Sequence, residues 1–223
     1  MDALPLLAVS TWGIAVGMAI VFVIFLVVAY AVIQETRAQL YWRKLVDQGD
    51  VSAIETLVRD EVERWKTART PKGVPPSIWH GVQSAELLEV NPDGVRLSAS
   101  AEGEYALVSG ERREVSSALK EGMKLTARLA DMVLYDIPNV KLPFARIDVY
   151  STYRDQHSST QRCILSTVCR REVADGLDWD GMEAGDIVRA FGGRYALDDR
   201  GNALPIDPDG NGTGVPAVFY KDD

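Results

Sequence analysis

The chain has 223 residues, a formal charge of -8 and 25% charged against 47% hydrophobic residues. That balance is globular, not disordered, and an acidic chain lacks the basic face that general nucleic-acid binding needs, so no nucleic-acid partner is expected. Two cysteines and two histidines leave no material for a disulfide scaffold or a zinc site, which takes closely spaced Cys and His in fours.

The first element is an uncharged apolar run from Trp12 to Ile33. About 20 such residues in a helix cross the roughly 30 Å core of a bilayer. Ala29-Tyr30-Ala31 has the small-x-small look of a cleavage site, but Asp2 stands where a signal peptide carries basic residues, and the apolar run is too long. The helix is therefore expected to remain as a membrane anchor. No Lys or Arg precedes it, whereas Arg37, Arg43 and Lys44 follow it. The positive-inside rule then places residues 1–11 outside as a short tail, residues 12–34 in the bilayer and the rest of the chain in the cytoplasm. Gly13 and Gly17 stand one turn apart, the spacing that lets two membrane helices approach closely, and are the candidate dimer contact.

Residues 35–70 read as a helical juxtamembrane stalk, broken once at Gly49-Asp50. Ser52 and Glu55 have capping-box spacing, and Ile54, Leu57, Val58, Val62 and Trp65 recur with helical period, giving an amphipathic helix from Val51 to Ala68 that faces a core or a partner. Thr70 to Pro76 reads as a linker. Asn91-Pro92-Asp93-Gly94 is a turn, and the alternation of Val95, Leu97 and Ala99, with Tyr105 and Leu107 beyond, gives about three antiparallel strands. A helix follows over Ser117 to Tyr135, with Leu119, Met123, Leu125, Leu129, Met132 and Val133 on its apolar face, stopped at Asp136-Ile137-Pro138. Phe144 to Tyr153 and Gln161 to Val173 form a strand pair, and a short helix ends at Gly192-Gly193.

The order predicts an α+β fold: an antiparallel sheet of meander plus hairpin, packed by one or two helices, over residues 71–204. Residues 205–223, rich in Pro, Gly and Asp, are expected to be flexible.

Few motifs carry chemistry. There is no GxSxG, P-loop or GxGxxG, so no cofactor is expected. Cys163 and Cys169 lie on one strand about 20 Å apart, too far for a disulfide. Six residues of separation puts both on one face, as buried small hydrophobes and not as nucleophiles paired with His157. Asp207, Asp209, Asn211 and Thr213 follow the first half of a calcium loop, which resembles the EF-hand pattern, but its twelfth position holds Val218 in place of Glu. A helix, Asp148 in a strand and then a paired strand resemble the element order of the PD-(D/E)xK nuclease superfamily. The paired strand CILSTVCRREV lacks the acid-x-Lys pair, so the resemblance implies order alone. Asp148 is expected as a hydrated strand-edge carboxylate.

Two functions remain. The first is a single-pass membrane protein with a cytoplasmic interaction or adaptor domain, a subunit or scaffold of a membrane complex. Its partners are the bilayer and either another protein or a second copy through helix or stalk. The second is a membrane-tethered hydrolase using Asp148, Asp175, Asp178 and Asp180. A pocket converging on Asp148, Tyr150, Arg170 and the acidic cluster would favour the enzyme, and an exposed apolar face the adaptor.

Overall fold

The computed structural model describes residues 4–108, 110–154 and 158–210. Two units divide between Gln48 and Gly49.

The first unit is one helix, α1 (Leu4–Asp47), 44 residues and about 66 Å long. Within it, Trp12–Asp47 is long and apolar enough to cross a membrane. Its large apolar side chains are uncovered: Phe22 is 61% exposed and Phe25 66%.

The second unit is α+β. Helix α2 (Val51–Thr67) starts one residue before the expected capping box, because Asp50 accepts the backbone N–H groups of Ser52 (3.0 Å) and Ala53 (3.2 Å). A carboxylate at the N-cap satisfies the donors that a first turn leaves free. The stripe Ile54, Val58, Val62 and Trp65 is buried within this unit, against β1 (Glu86–Asn91) and α3 (Pro76–Gln83). Trp79 Nε1 and Gln83 Nε2 both donate to Ala68 O at 3.1 Å, closing the α2–α3 corner. Helix α3 begins on Pro76, the last residue of the expected linker, where the sequence reading assigns no element; Pro76 at its first position and the buried Ile78, Trp79 and Val82 make it a helix.

Strands β1 (Glu86–Asn91), β2 (Gly94–Ser100), β5 (Phe144–Arg154) and β6 (Ser159–Arg170) form the main sheet in the order β1-β2-β5-β6. Asn91 Oδ1 accepts from Asp93 N and Gly94 N and sets the first turn. Strands β3 (Glu104–Val108) and β4 (Glu111–Ser116) pair with each other in a separate two-stranded sheet, so the expected three-stranded meander is two hairpins. The crossover through that hairpin and helix α4 (Ala118–Asp131) makes β2 and β5 parallel, while β1–β2 and β5–β6 are antiparallel. Gly94 is required at the seam: a Cβ there would lie 2.6 Å from Phe144 O.

Helix α4 is capped by Ser117 Oγ, which accepts from Lys120 N, and ends in a π-helical turn over Met132–Asp136. It packs on β5 and β6, with Leu125, Leu129 and Val133 buried and Gly122 meeting Val149. The chain then runs through α5 (Arg171–Ala174), α6 (Ala184–Ala190) and the small pair β7 (Ala196–Leu197) and β8 (Ala203–Leu204). Helix α6 ends as expected at Gly192, whose φ of +69° suits glycine; Gly192 N donates to Arg189 O and Gly193 N to Val188 O, a Schellman cap.

Candidate functional site

Strand alternation gives the main sheet two faces. Val95, Leu97, Ala99, Ala145, Ile147 and Val149 occupy one face and are buried. The other face carries Arg96, Ser98, Arg146, Asp148, Tyr150 and Ser166. Arg96 and Arg146 are directly opposed across the parallel β2–β5 pair. Like charges so placed repel; the sheet neutralises them with carboxylates.

Asp148 supplies the first. It is fully buried in the central strand β5, not hydrated at an edge as expected, because β2 and β6 flank it. Its Oδ2 accepts from Arg96 Nε at 2.7 Å, and its Oδ1 accepts from Arg146 Nε at 3.2 Å and Ser166 Oγ at 2.6 Å. The second carboxylate comes from the C-terminal segment. Asp209 grips Arg96 as a fork, with Oδ1 2.9 Å from Nη1 and Oδ2 3.2 Å from Nη2, and its Oδ1 lies 3.0 Å from Arg146 Nη2. Bidentate guanidinium–carboxylate pairs are among the stronger charge-assisted contacts. Arg146 and Arg194 both donate to Pro208 O, and Arg194 Nη1 donates to Gly210 O at 2.9 Å.

Burial alone would lower the Arg96 pKa, but the Asp148 and Asp209 carboxylates outweigh it and raise it. The Arg96 hydrogen bond in turn holds the Asp209 carboxyl below its ordinary range. Arg194 N and O also pair with Ser166 O and N, and Ile206 N donates to Cys163 O at 2.8 Å, so Arg194 and Ile206 satisfy main-chain groups at two positions on the outer edge of β6. The expectation of a flexible segment after Leu204 thus meets five residues, Ile206 to Gly210, tied to the sheet through main-chain and guanidinium contacts.

The other singled-out residues fall as follows. Asp175 accepts from Tyr135 OH at 2.7 Å, and Asp178 Oδ1 closes a turn by accepting from Gly181 N at 3.1 Å. The phenol of Tyr135 is pushed up to about 12, first by burial and then by Asp175. Trp179 stacks edge-on against Tyr135 and tilted against Phe191, so this acidic stretch surrounds an aromatic cluster. Asp175 follows α5 as its C-cap. Asp207 Oδ1 accepts from Asp209 N within the strap that residues 206–210 form over β6, and Asn211 and Thr213 lie outside the described residues, as does His157. Gly13 and Gly17 face open space, with nothing within 4 Å of an added Cβ.

Cys163 and Cys169 are buried and unpaired, on opposite faces and not on one. Cys169 opposes Ala145, whereas Cys163 opposes Tyr150, because Ile164 is an extra residue between the pairs Val149–Leu165 and Tyr150–Cys163. A bulge of one residue reverses the alternation beyond it. Burial pushes the Cys163 thiol up to about 11, helped by nearby Asp148, and raises Cys169 by burial alone.

A cavity of about 470 Å³ lies between α3 and the β3–β4 hairpin, lined by Ser77, His80, Glu102, Glu104, Tyr105 and Arg112 among others. It does not include Asp148 or the Asp175–Asp180 stretch. The hairpin beside it leaves Leu107 79%, Val115 54% and Tyr105 49% exposed, with Arg112 4.3 Å above the Tyr105 ring. Among the described residues, no group of three or more His, Cys, Asp or Glu is arranged to hold a metal.

No protein-family model, curated protein or solved structure matches this chain.

Sequence reasoning passed over Arg96, Arg146, Arg194 and Ser166. Their signal was available in part: Arg96 and Arg146 sit at the polar positions of two strands otherwise filled with apolar residues on the opposite parity.

Proposed function

We propose that the chain is a single-pass membrane protein, with its N-terminus outside and its α+β domain in the cytoplasm, where that domain acts as an interaction module in a membrane complex. The observation that carries this reading is the uncovered apolar surface of α1: every residue from Trp12 to Ile33 except Ala29 is exposed. Water does not tolerate an apolar surface of this extent, and lipid does. Arg37, Arg43 and Lys44 on the C-terminal side of the run support the orientation. The exposed Leu107, Val115 and Tyr105 of the hairpin support docking in preference to catalysis. Dimer contact through Gly13 and Gly17 belongs to the same reading.

A tethered hydrolase working through Asp148, Asp175, Asp178 and Asp180 is the second reading. It requires Asp148 to be released from Arg96, Arg146 and Ser166, and the remaining three lie outside the 470 Å³ cavity.

Two measurements test the proposal. A phosphatase reporter that works only after export, fused after Asp223, stays inactive if the domain is cytoplasmic; activity there reverses the orientation. Purification of the tagged chain from its native membrane in mild detergent yields stoichiometric companion proteins if it is a complex subunit. A lone monomer overturns the adaptor reading.

A further inference from the structure

We infer that the guanidinium face formed by Arg96, Arg146 and Arg194 is a recognition site for an acidic peptide turn of a partner protein, filled in this structure by the chain's own residues 207–210. The inference deepens the interaction-module reading and rests on it. Its basis is an asymmetry between the two sides of the contact. The receiving side is built by the sheet itself: the fully buried Asp148 fixes Arg96 and Arg146 through their Nε atoms. The occupying side is a local turn that places no side chain in the core. Asp207 and Asp209 are exposed, the Asp209 side chain is 62% exposed, and residues 207–210 contribute nothing to the buried core.

The contacts themselves are those of a peptide reader. One carboxylate is shared by Arg96 and Arg146, and two main-chain carbonyls, Pro208 O and Gly210 O, are read by Arg146 and Arg194. The presented groups are one carboxylate flanked by two carbonyls on a turn that Asp207 closes, accepting from Asp209 N with its side chain and from Gly210 N with its carbonyl, and an acidic turn of another chain can offer the same set. With Asp209 removed, three guanidiniums face one buried carboxylate, and the site carries net positive charge for an incoming acid. The tethered segment competes at a high effective concentration, of millimolar order for short linkers, which keeps the site closed to weak ligands until a partner segment exceeds it.

The test uses the full chain in detergent. The probe is a fluorescein-labelled peptide with the sequence of residues 203–210, ALPIDPDG, and its control carries Asn for both Asp residues. The Asp209→Asn chain is expected to bind the acidic peptide roughly tenfold more tightly than the native chain, because its own competitor is weakened. Adding Arg146→Ala to Asp209→Asn is expected to remove that binding. Arg194→Ala, at an exposed position outside the Asp148 pairs, weakens it about threefold or more without a change in the melting curve. Absence of binding to Asp209→Asn overturns the inference. So does equal affinity for the Asn control, indifference to both arginine substitutions, or a shift of Asp209→Asn to dimers that exchange their own segments. Preference for vesicles containing phosphatidylserine over the peptide overturns it as well. Companions that copurify equally with the native and Arg194→Ala chains leave the interaction-module reading standing and remove this one. Peptide binding in a chain that purifies alone does the reverse.

Discussion

The two faces of the main sheet are made by alternate residues of the same strands, yet they are stabilised by different physics. On the helix-covered face, Leu97, Ile147 and Val149 are buried among apolar neighbours, where the interaction is non-directional and scales with area. On the other face, Asp148 is buried as deeply as Ile147 beside it, but its environment is two guanidiniums and a hydroxyl. The first face tolerates a change of shape better than a change of polarity. The second depends on every partner being present, since a buried ion without its counterion is costly.

Breaking the polar face at its centre is expected to have the largest effect. Asp148→Ala leaves Arg96 and Arg146 opposed with no carboxylate beneath them and should cost about 3–5 kcal/mol, read by denaturant unfolding in detergent. If the loss is under about 1 kcal/mol, water reaches this face and the contrast with the apolar face fails. Leu97→Ala, on the opposite face of β2, should cost about 2–5 kcal/mol through transfer and cavity terms. The two substitutions differ in salt dependence: the Asp148 effect changes with ionic strength more than the Leu97 effect does. Ser166→Ala removes one of three hydrogen bonds to Asp148 and should cost about 1 kcal/mol.

Thiol chemistry sharpens the comparison further. The bulge at Ile164 places Cys163 on the polar face and Cys169 on the apolar one, and burial raises both thiols. At pH 8 neither should react with an aromatic disulfide reagent in the native chain. Opening of the strap should expose Cys163 first, so a single reactive thiol is expected in a chain truncated after Asn202. The smallest effect concerns acid. The Asp209 carboxyl is held below its ordinary value by Arg96, so its contribution is complete above about pH 3.9 and is lost as pH falls through the lower folded value. Protection of the Ile206 amide should fall in that window, and Asp209→Asn should abolish the transition.

The same contrast explains what was legible in the sequence. The apolar face was readable because alternation of Val95, Leu97 and Ala99 is a local signal, as is the periodic stripe Ile54, Val58, Val62 and Trp65 of α2. The α+β class followed from such runs. The polar face was not readable, because Arg96 meets Asp148 across a parallel pairing that no local pattern encodes, and Asp209 arrives from still farther along the chain. Helix α3 was missed since Pro75-Pro76 resembles a linker, although Pro at the first helical position is itself a start signal. The facing of the cysteines failed on one extra residue, Ile164.

The parallel seam between β2 and β5 also sets an order of assembly. The hairpins β1–β2 and β5–β6 each join neighbours in sequence, whereas the seam must wait for residues 101–143 to fold back between them. Closing so long a loop has to be met before its contacts return any stability. The two hairpins are therefore the early structures and the seam is the late one. Substitutions along the seam should act chiefly by speeding unfolding, and the chain should remain able to assemble from two pieces cut within that crossover.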